Sequence, residues 1–202
     1  MPLQNRVTPF GDIVSAVGRG LLMGNRGILH DGERRIVRYA QGRRWIACRT
    51  QFRGRRRLLM TPGAYTELFF LDEATALAAG HRPCAECRRA DYRRFRAAWM
   101  ACHGPEPLGV DGIDRRLHDE RLRGRASKRT YLAEMADLPD GVYIVVDGGP
   151  WLVWNGQLLG WSPGGYVERR PRPAGVGTVL TPPAIVDTIA AGYSPLVHPS
   201  AT

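Results

Sequence analysis

Residues 69–89, FFLDEATALAAGHRPCAECRR, decide how the chain is read. They begin as the end of an apolar strand and continue as a short helix. Asp72 is placed to cap that helix, and Ala74, Ala76, Leu77, Ala78 and Ala79 are strong helix formers. Gly80 supplies the residue that can turn left-handed and end it. Pro83 then fixes the backbone ahead of Cys84 and Cys87, which lie one turn apart at the partly positive start of a second helix. Two sulfurs aimed at one point suit a metal ion, although the same spacing serves a redox dithiol or two inert cysteines. A redox pair is expected after a strand of a βαβ unit, whereas a helix and a Gly-His-Arg-Pro turn precede this one.

The pattern Phe69-Phe70-x-Asp72, then Ala76-x-x-x-Gly80-x-Arg82-Pro83-Cys84-x-x-Cys87, resembles the second half of the Ada-type zinc domain. That domain is the metal-binding module of bacterial DNA alkyl-phosphotriester repair proteins. Its first half carries a strand ending in Cys-Arg-Pro-x-Cys, whose first cysteine is both a zinc ligand and a methyl acceptor. Residues 45–52, WIACRTQF, match at Cys48 and Arg49, with Phe52 where the second cysteine would stand. The resemblance covers about residues 35–100 and one of the four family cysteines is absent. It implies a zinc ion held by Cys48, Cys84 and Cys87, DNA as partner, and Cys48 as nucleophile if alkyl transfer is retained.

Three thiolates leave four-coordinate zinc one donor short. His30 is the expected fourth ligand, because it precedes a predicted hairpin, residues 34–40 and 43–48 around Gln41-Gly42, whose second strand carries Cys48. His81 is nearer in sequence but sits where the family has an aromatic. Water would leave an open site of the catalytic kind.

The 202 residues carry a net charge of +10 and a pI near 10.2, and every basic residue except Lys128 is arginine. The preference for arginine over lysine is uninformative in a chain also rich in Ala, Gly and Pro, where codon bias accounts for it. The net charge points to a polyanion, since basic clusters release counterions on binding nucleic acid. Arg49, Arg53, Arg55, Arg56, Arg57, Arg88 and Arg89 surround the expected metal and are the candidate phosphate contacts. The run at 53–57 reads equally as a solvated loop.

Four cysteines at uneven positions argue for a reducing compartment. The sequence has no apolar run long enough to span a membrane and no signal-peptide core, so a cytoplasmic protein without membrane association is expected. It also has no P-loop or dinucleotide fingerprint, so no nucleotide cofactor is expected.

The expected fold class is α+β. Residues 1–101 would form the zinc module, with residues 1–32 wrapping it and a short helix at 12–17. Within it, the strand at 65–71 and a helix at 87–100 flank the Cys-x-x-Cys. That helix carries an inward stripe of Tyr92, Phe95, Ala98 and Trp99, with arginines elsewhere. Residues 102–136 would be a linker and helical segments. Cys102 and His103 would lie about 22 Å from Cys87, at ~1.5 Å rise per residue, and are left out of the metal site. Asp114 and His118 share a helix face, an arrangement that serves a general base or a simple hydrogen-bonded pair.

Residues 137–202 would form a small antiparallel sheet with a carboxyl-terminal helix. Strands are predicted at 142–146, 151–154, 157–161 and 176–180. Asn155-Gly156 makes a two-residue turn, 162–166 a further turn, and Pro182 or Pro183 starts a helix that Gly192 ends. The tail from Tyr193 is expected to be extended or disordered. The functional expectation is a structural zinc site in a nucleic-acid-binding protein. The alternatives are a stoichiometric alkyl acceptor using Cys48, or a metal- or His118-dependent nuclease or hydrolase.

Overall fold

A computed structural model describes residues 1–54, 58–106, 109–124 and 126–202. Among them are four α-helices and three sheets, so the class is α+β. The amino-terminal half forms one mixed sheet. Its strands are β1 (Gln4–Val7), β2 (Ile13–Ser15), β3 (Leu22–Asn25), β4 (Ile46–Arg49), β5 (Leu68–Phe70) and, after helix α1 (Glu73–Ala78), the two-residue β6 (Arg82–Pro83). Their spatial order is β2-β1-β5-β3-β4-β6. Helices α2 (Arg89–His103) and α3 (Val110–Arg121) follow, then a small hairpin of β7 (Leu122–Arg123) and β8 (Ser127–Lys128). The second large sheet is antiparallel. It comprises β9 (Tyr131–Glu134), β10 (Tyr143–Val146), β11 (Gly149–Trp154), β12 (Gln157–Ser162), β13 (Gly165–Pro171) and β14 (Val176–Val179), in the order β13-β12-β11-β10-β14-β9, and is followed by α4 (Pro183–Ala190).

Helix α1 has only six residues, all of them buried. Ala76 and Ala79 pack with Leu22 and Phe70 of the first sheet, Ala74 and Ala78 with Tyr143, Leu152 and Leu159 of the second, and Leu77 with Phe95, Trp99 and Ile185. Alanines let two sheets approach one helix this closely. A six-residue helix is too short to be stable by propensity alone, so its termini must be satisfied from outside. Asp72 Oδ1 accepts from the Thr75 amide at 2.9 Å, and Oδ2 accepts from the Tyr166 hydroxyl at 2.6 Å and the His198 amide at 2.9 Å. At the other end Lys128 Nζ donates to the Ala78 carbonyl and Arg121 donates to the Gly80 carbonyl at 2.9 Å. Gly80 itself sits at φ 87°, as a helix-terminating glycine should.

The second sheet is covered on both faces. Along β10 and β11, Ile144, Trp151 and Val153 face α2, α3 and α4, while Tyr143 and Leu152 face α1 and the carboxyl terminus. That two-sided burial explains why these strands read as nearly continuous apolar runs. The Asn155-Gly156 turn joins β11 to β12 as the sequence predicts, with both of its residues in the left-handed region that such a turn requires.

Several expectations are corrected. Residues 34–48 form no hairpin; β4 pairs instead with β3 on one side and β6 on the other, where Ala47 is buried in the first sheet. Residues 12–17 hold strand β2 rather than a helix, and the amino terminus contributes three strands to the sheet instead of wrapping it. Residues 131–134 are the edge strand β9 rather than helix, and β13 follows Ser162, where only a turn was expected. The tail is tied down, since Glu73 accepts from the Tyr193 hydroxyl at 2.6 Å and from the Leu196 amide at 3.0 Å.

Candidate metal centre

The centre lies where β4 and β6 end together. These strands pair in parallel, with Ile46 beside Arg82 and Ala47 beside Pro83, and the Cys84 amide donates to the Ala47 carbonyl at 3.0 Å. Parallel register therefore sets Cys84 alongside Cys48. A turn closed by the Arg88 amide on the Cys84 carbonyl, at 3.1 Å, returns Cys87 to the same place, and the Arg49 amide donates to Cys87 Sγ at 3.4 Å. The three sulfurs lie within 4.8 Å of one another, a group that can hold a metal ion. Met23, Ile46 and Phe52 pack around it and all three cysteines are buried.

The three thiols hydrogen-bond one another. Hydrogen bonds from Cys48 and then Cys87 hold Cys84 far below an ordinary thiol, and the same contact with Cys84 pushes Cys48 far above one. In such a group a thiol loses its proton only where its neighbours keep theirs and donate to it. Three thiolates so close need a cation to become charged together.

His30 does not join the sulfurs. Its Nε2 donates to the Thr61 carbonyl at 3.2 Å, which leaves Nδ1 to accept from the Thr66 hydroxyl at 2.6 Å, so neither ring nitrogen has a free lone pair. The hairpin that would have carried it toward Cys48 is not formed. Among the described residues, the donor group contains only the three cysteines. Cys102 lies apart, its thiol donating to the Ala98 carbonyl at 3.3 Å.

The candidate phosphate contacts divide. Arg49, Arg53 and Arg89 are exposed, Arg53 lying 5.0 Å from the Phe52 ring centroid. Arg55, Arg56 and Arg57 fall outside the described residues. Arg88 is corrected: it is buried and ion-paired to Glu73 at 2.8 Å and Asp91 at 2.9 Å, because the Cys84–Cys87 turn directs it inward under α2. Arg93 and Arg96, four and seven residues beyond Arg89, are among the arginines that the sequence spreads over this helix as a surface suited to a DNA backbone. With Arg89, Tyr92 and Met100 they line a shallow depression of about 380 Å³ on α2.

Asp114 and His118 do not work together. Asp114 receives Arg82 through two hydrogen bonds of 2.8 and 2.7 Å, and His118 Nδ1 lies 3.3 Å from Arg121 Nη2. Burial, then the charges of Arg121 and Arg43, lower the His118 pKa, so the ring is neutral and its Nδ1 accepts.

Comparison with protein-family models, with curated proteins and with solved structures returns no match. Among the described residues no helix is long and apolar enough to cross a membrane.

Proposed function

We propose that the chain is a zinc-holding protein that binds nucleic acid, DNA by its resemblance to the Ada-type domain. The observation that carries this reading is the convergence of three sulfurs from two distant segments beside an arginine-lined helix face. A tetrahedral zinc ion with Zn–S bonds of about 2.3 Å spaces its sulfurs about 3.8 Å apart. A group confined within 4.8 Å accommodates that spacing. Cys48, Cys84 and Cys87 would hold the ion, and its charge would keep all three as thiolates. Zinc would lock β4 to the Cys84–Cys87 turn and so fix the start of α2. Arg49, Arg53, Arg89, Arg93 and Arg96 would then face phosphates.

Metal analysis of the purified chain is the direct test: one zinc per wild-type chain, none in Cys84→Ser, and one in His30→Ala. A wild-type chain without tightly held metal would sink the reading. Binding to duplex DNA should weaken steeply with salt, with a slope that falls by about one for each α2 arginine removed.

A thiolate that zinc keeps deprotonated at neutral pH would be a nucleophile, and the place of Cys48 in the sulfur group favours one second reading. Cys48 would act as an alkyl acceptor. Its thiolate attacks the methyl carbon of a phosphate triester, the carbon–oxygen bond breaks, and the phosphodiester anion leaves. Mass spectrometry after incubation with methylated DNA should then find one methyl group on Cys48, and an unmodified Cys48 excludes it.

A further inference from the structure

Two cavities of about 440 and 570 Å³ meet beside the metal centre and share Thr50 and Gln51 as a common wall. The first lies between the start of α2 and the end of β4, with Arg49, Arg88 and Arg94 around it. The second lies under the first two strands and is mainly apolar, with Val17, Leu59 and Phe69 among its walls. Together they form a groove with a cationic half and an apolar half. The groove carries five arginines, Arg6 and Arg19 being the other two, against the carboxylates of Glu73 and Asp91.

Arg88 gives the cationic half a built feature. Its side chain is only 4% exposed, two of its nitrogens are fixed on Asp91 and Glu73, and the third, Nη1, has no partner although buried. Arg88 Nη1 is closed off from solvent, so Arg88 forms a fixed, charge-compensated wall of this half and leaves the phosphate contact to Arg49. The carboxylates below it, Asp91 and Glu73, are already neutralised by Arg88 and Arg94, and the Asp91 carboxyl, though burial opposes this, is held below its usual range by its bonds to Arg94 and Arg88. Among the described residues, Arg49 brings an exposed guanidinium to the rim, and its backbone amide touches Cys87.

We propose that this groove takes one unpaired nucleotide of a nucleic-acid strand. Its phosphate sits at Arg49, its sugar and base edge at Thr50 and Gln51, and its base against Phe69, Val17 and Leu59. The inference rests on the nucleic-acid reading above and adds a substrate class to it. A base leaving its stack loses stacking that an aromatic floor restores, while the α2 arginines hold the flanking backbone. Val17 is 79% exposed and Leu59 38% exposed, so the apolar half is open to solvent and its walls are bare without an occupant.

Fluorescence anisotropy on the full metal-loaded chain tests this with three oligonucleotides: a blunt duplex, the same duplex with one bulged nucleotide, and the same with an abasic bulge. The bulged nucleotide should bind on the order of tenfold more tightly than either of the others, the gain that stacking one base confers. Val17→Gln, and its charged counterpart Val17→Glu, should remove that gain and leave blunt-duplex affinity in place. Arg89→Ala with Arg93→Ala should weaken all three alike. Equal binding of the three oligonucleotides overturns the groove but leaves nucleic-acid binding standing. Binding of none overturns both.

Discussion

The two ends of the β4–β6 pair gather charge-bearing groups in opposite ways. At the end where the strands begin, Trp45 and His81 face each other with ring centroids 5.1 Å apart, and the guanidiniums of Arg26 and Arg121 lie 4.1 and 3.9 Å from the Trp45 ring centroid. At the end where they finish, Cys48 meets Cys84 and Cys87. The cationic end is mostly closed, although Arg26 Nη2, Arg121 Nε and His81 Nδ1 are buried without a hydrogen-bond partner among the described residues. Arg26 donates to the Gly11 carbonyl, Arg121 to the Gly80 and Arg43 carbonyls, and Lys128 to the Ala78 carbonyl. Backbone acceptors and an indole face there play the part that carboxylates play elsewhere. The thiol end is open, because its three donors complete nothing without a cation. Clustering of like groups is therefore no sign of a site; what distinguishes the two ends is whether backbone acceptors and a ring face already hold the charged groups.

The largest effect should come from emptying the open end. If the sulfurs hold a metal, chelation or Cys84→Ser should lower Tm by roughly 10 °C or more, since the binding free energy of a structural metal adds to that of folding. An unchanged melt on chelation would reduce the thiol end to ordinary core. At the closed end Trp45→Ala should cost about 3–5 kcal/mol by denaturant titration, the usual penalty for deleting a large buried aromatic side chain. Trp45 is fully buried, so the whole of that penalty applies.

Lys128 sharpens the contrast by titration. The residue is half-buried, but its amine is inside, and burial, then the charges of Arg26 and Arg121, lower its pKa to about 7. The unfolded chain keeps that proton to about pH 10.4, so between about pH 7.5 and 9.5 the unfolded state binds more protons and stability rises with pH. Denaturant midpoints across that window should climb in the wild type, by up to about 1.4 kcal/mol per pH unit, and climb less in Lys128→Met. Parallel profiles would mean that the amine is not desolvated.

His30→Ala should cost about 1–3 kcal/mol, the usual penalty for orphaning buried polar groups, with metal content unchanged. The groups orphaned are the hydroxyl of Thr66 and the carbonyl of Thr61. Loss of metal in that variant would return His30 to the ligand set. The smallest effect on stability, no more than about 0.5 kcal/mol, is expected for the double substitution Arg89→Ala with Arg93→Ala, as is usual for surface positions. Both side chains are exposed. Their effect should appear instead in the salt dependence of DNA binding.

Local chemistry made much of this legible. Asp72, Gly80, the Asn155-Gly156 turn and the proline at the start of α4 each act within a few residues, and each is where the sequence placed it. Arg88 and His30 were misplaced because their positions depend on other elements. Arg88 is turned inward by Glu73, which no spacing reveals, and His30 faces Thr61 and Thr66 across a loop. The strands at the amino terminus escaped notice for a similar reason. β1 and β2 are only four and three residues long, and their pairing with each other and with β5 is what makes them strands.

By itself the sequence determined the α+β class, the capped helix at 73–78, the Cys-x-x-Cys turn and the strongly basic surface, because caps, glycine stops, turns and net charge are properties of neighbouring residues or of composition. Only the tertiary structure decided that Cys48 lies with Cys84 and Cys87, that His30 does not, and that Arg121 and Lys128 hold the carboxyl end of α1. Those outcomes follow from parallel strand register and from which buried donor finds which acceptor, and both are fixed only when segments dozens of residues apart are brought into contact.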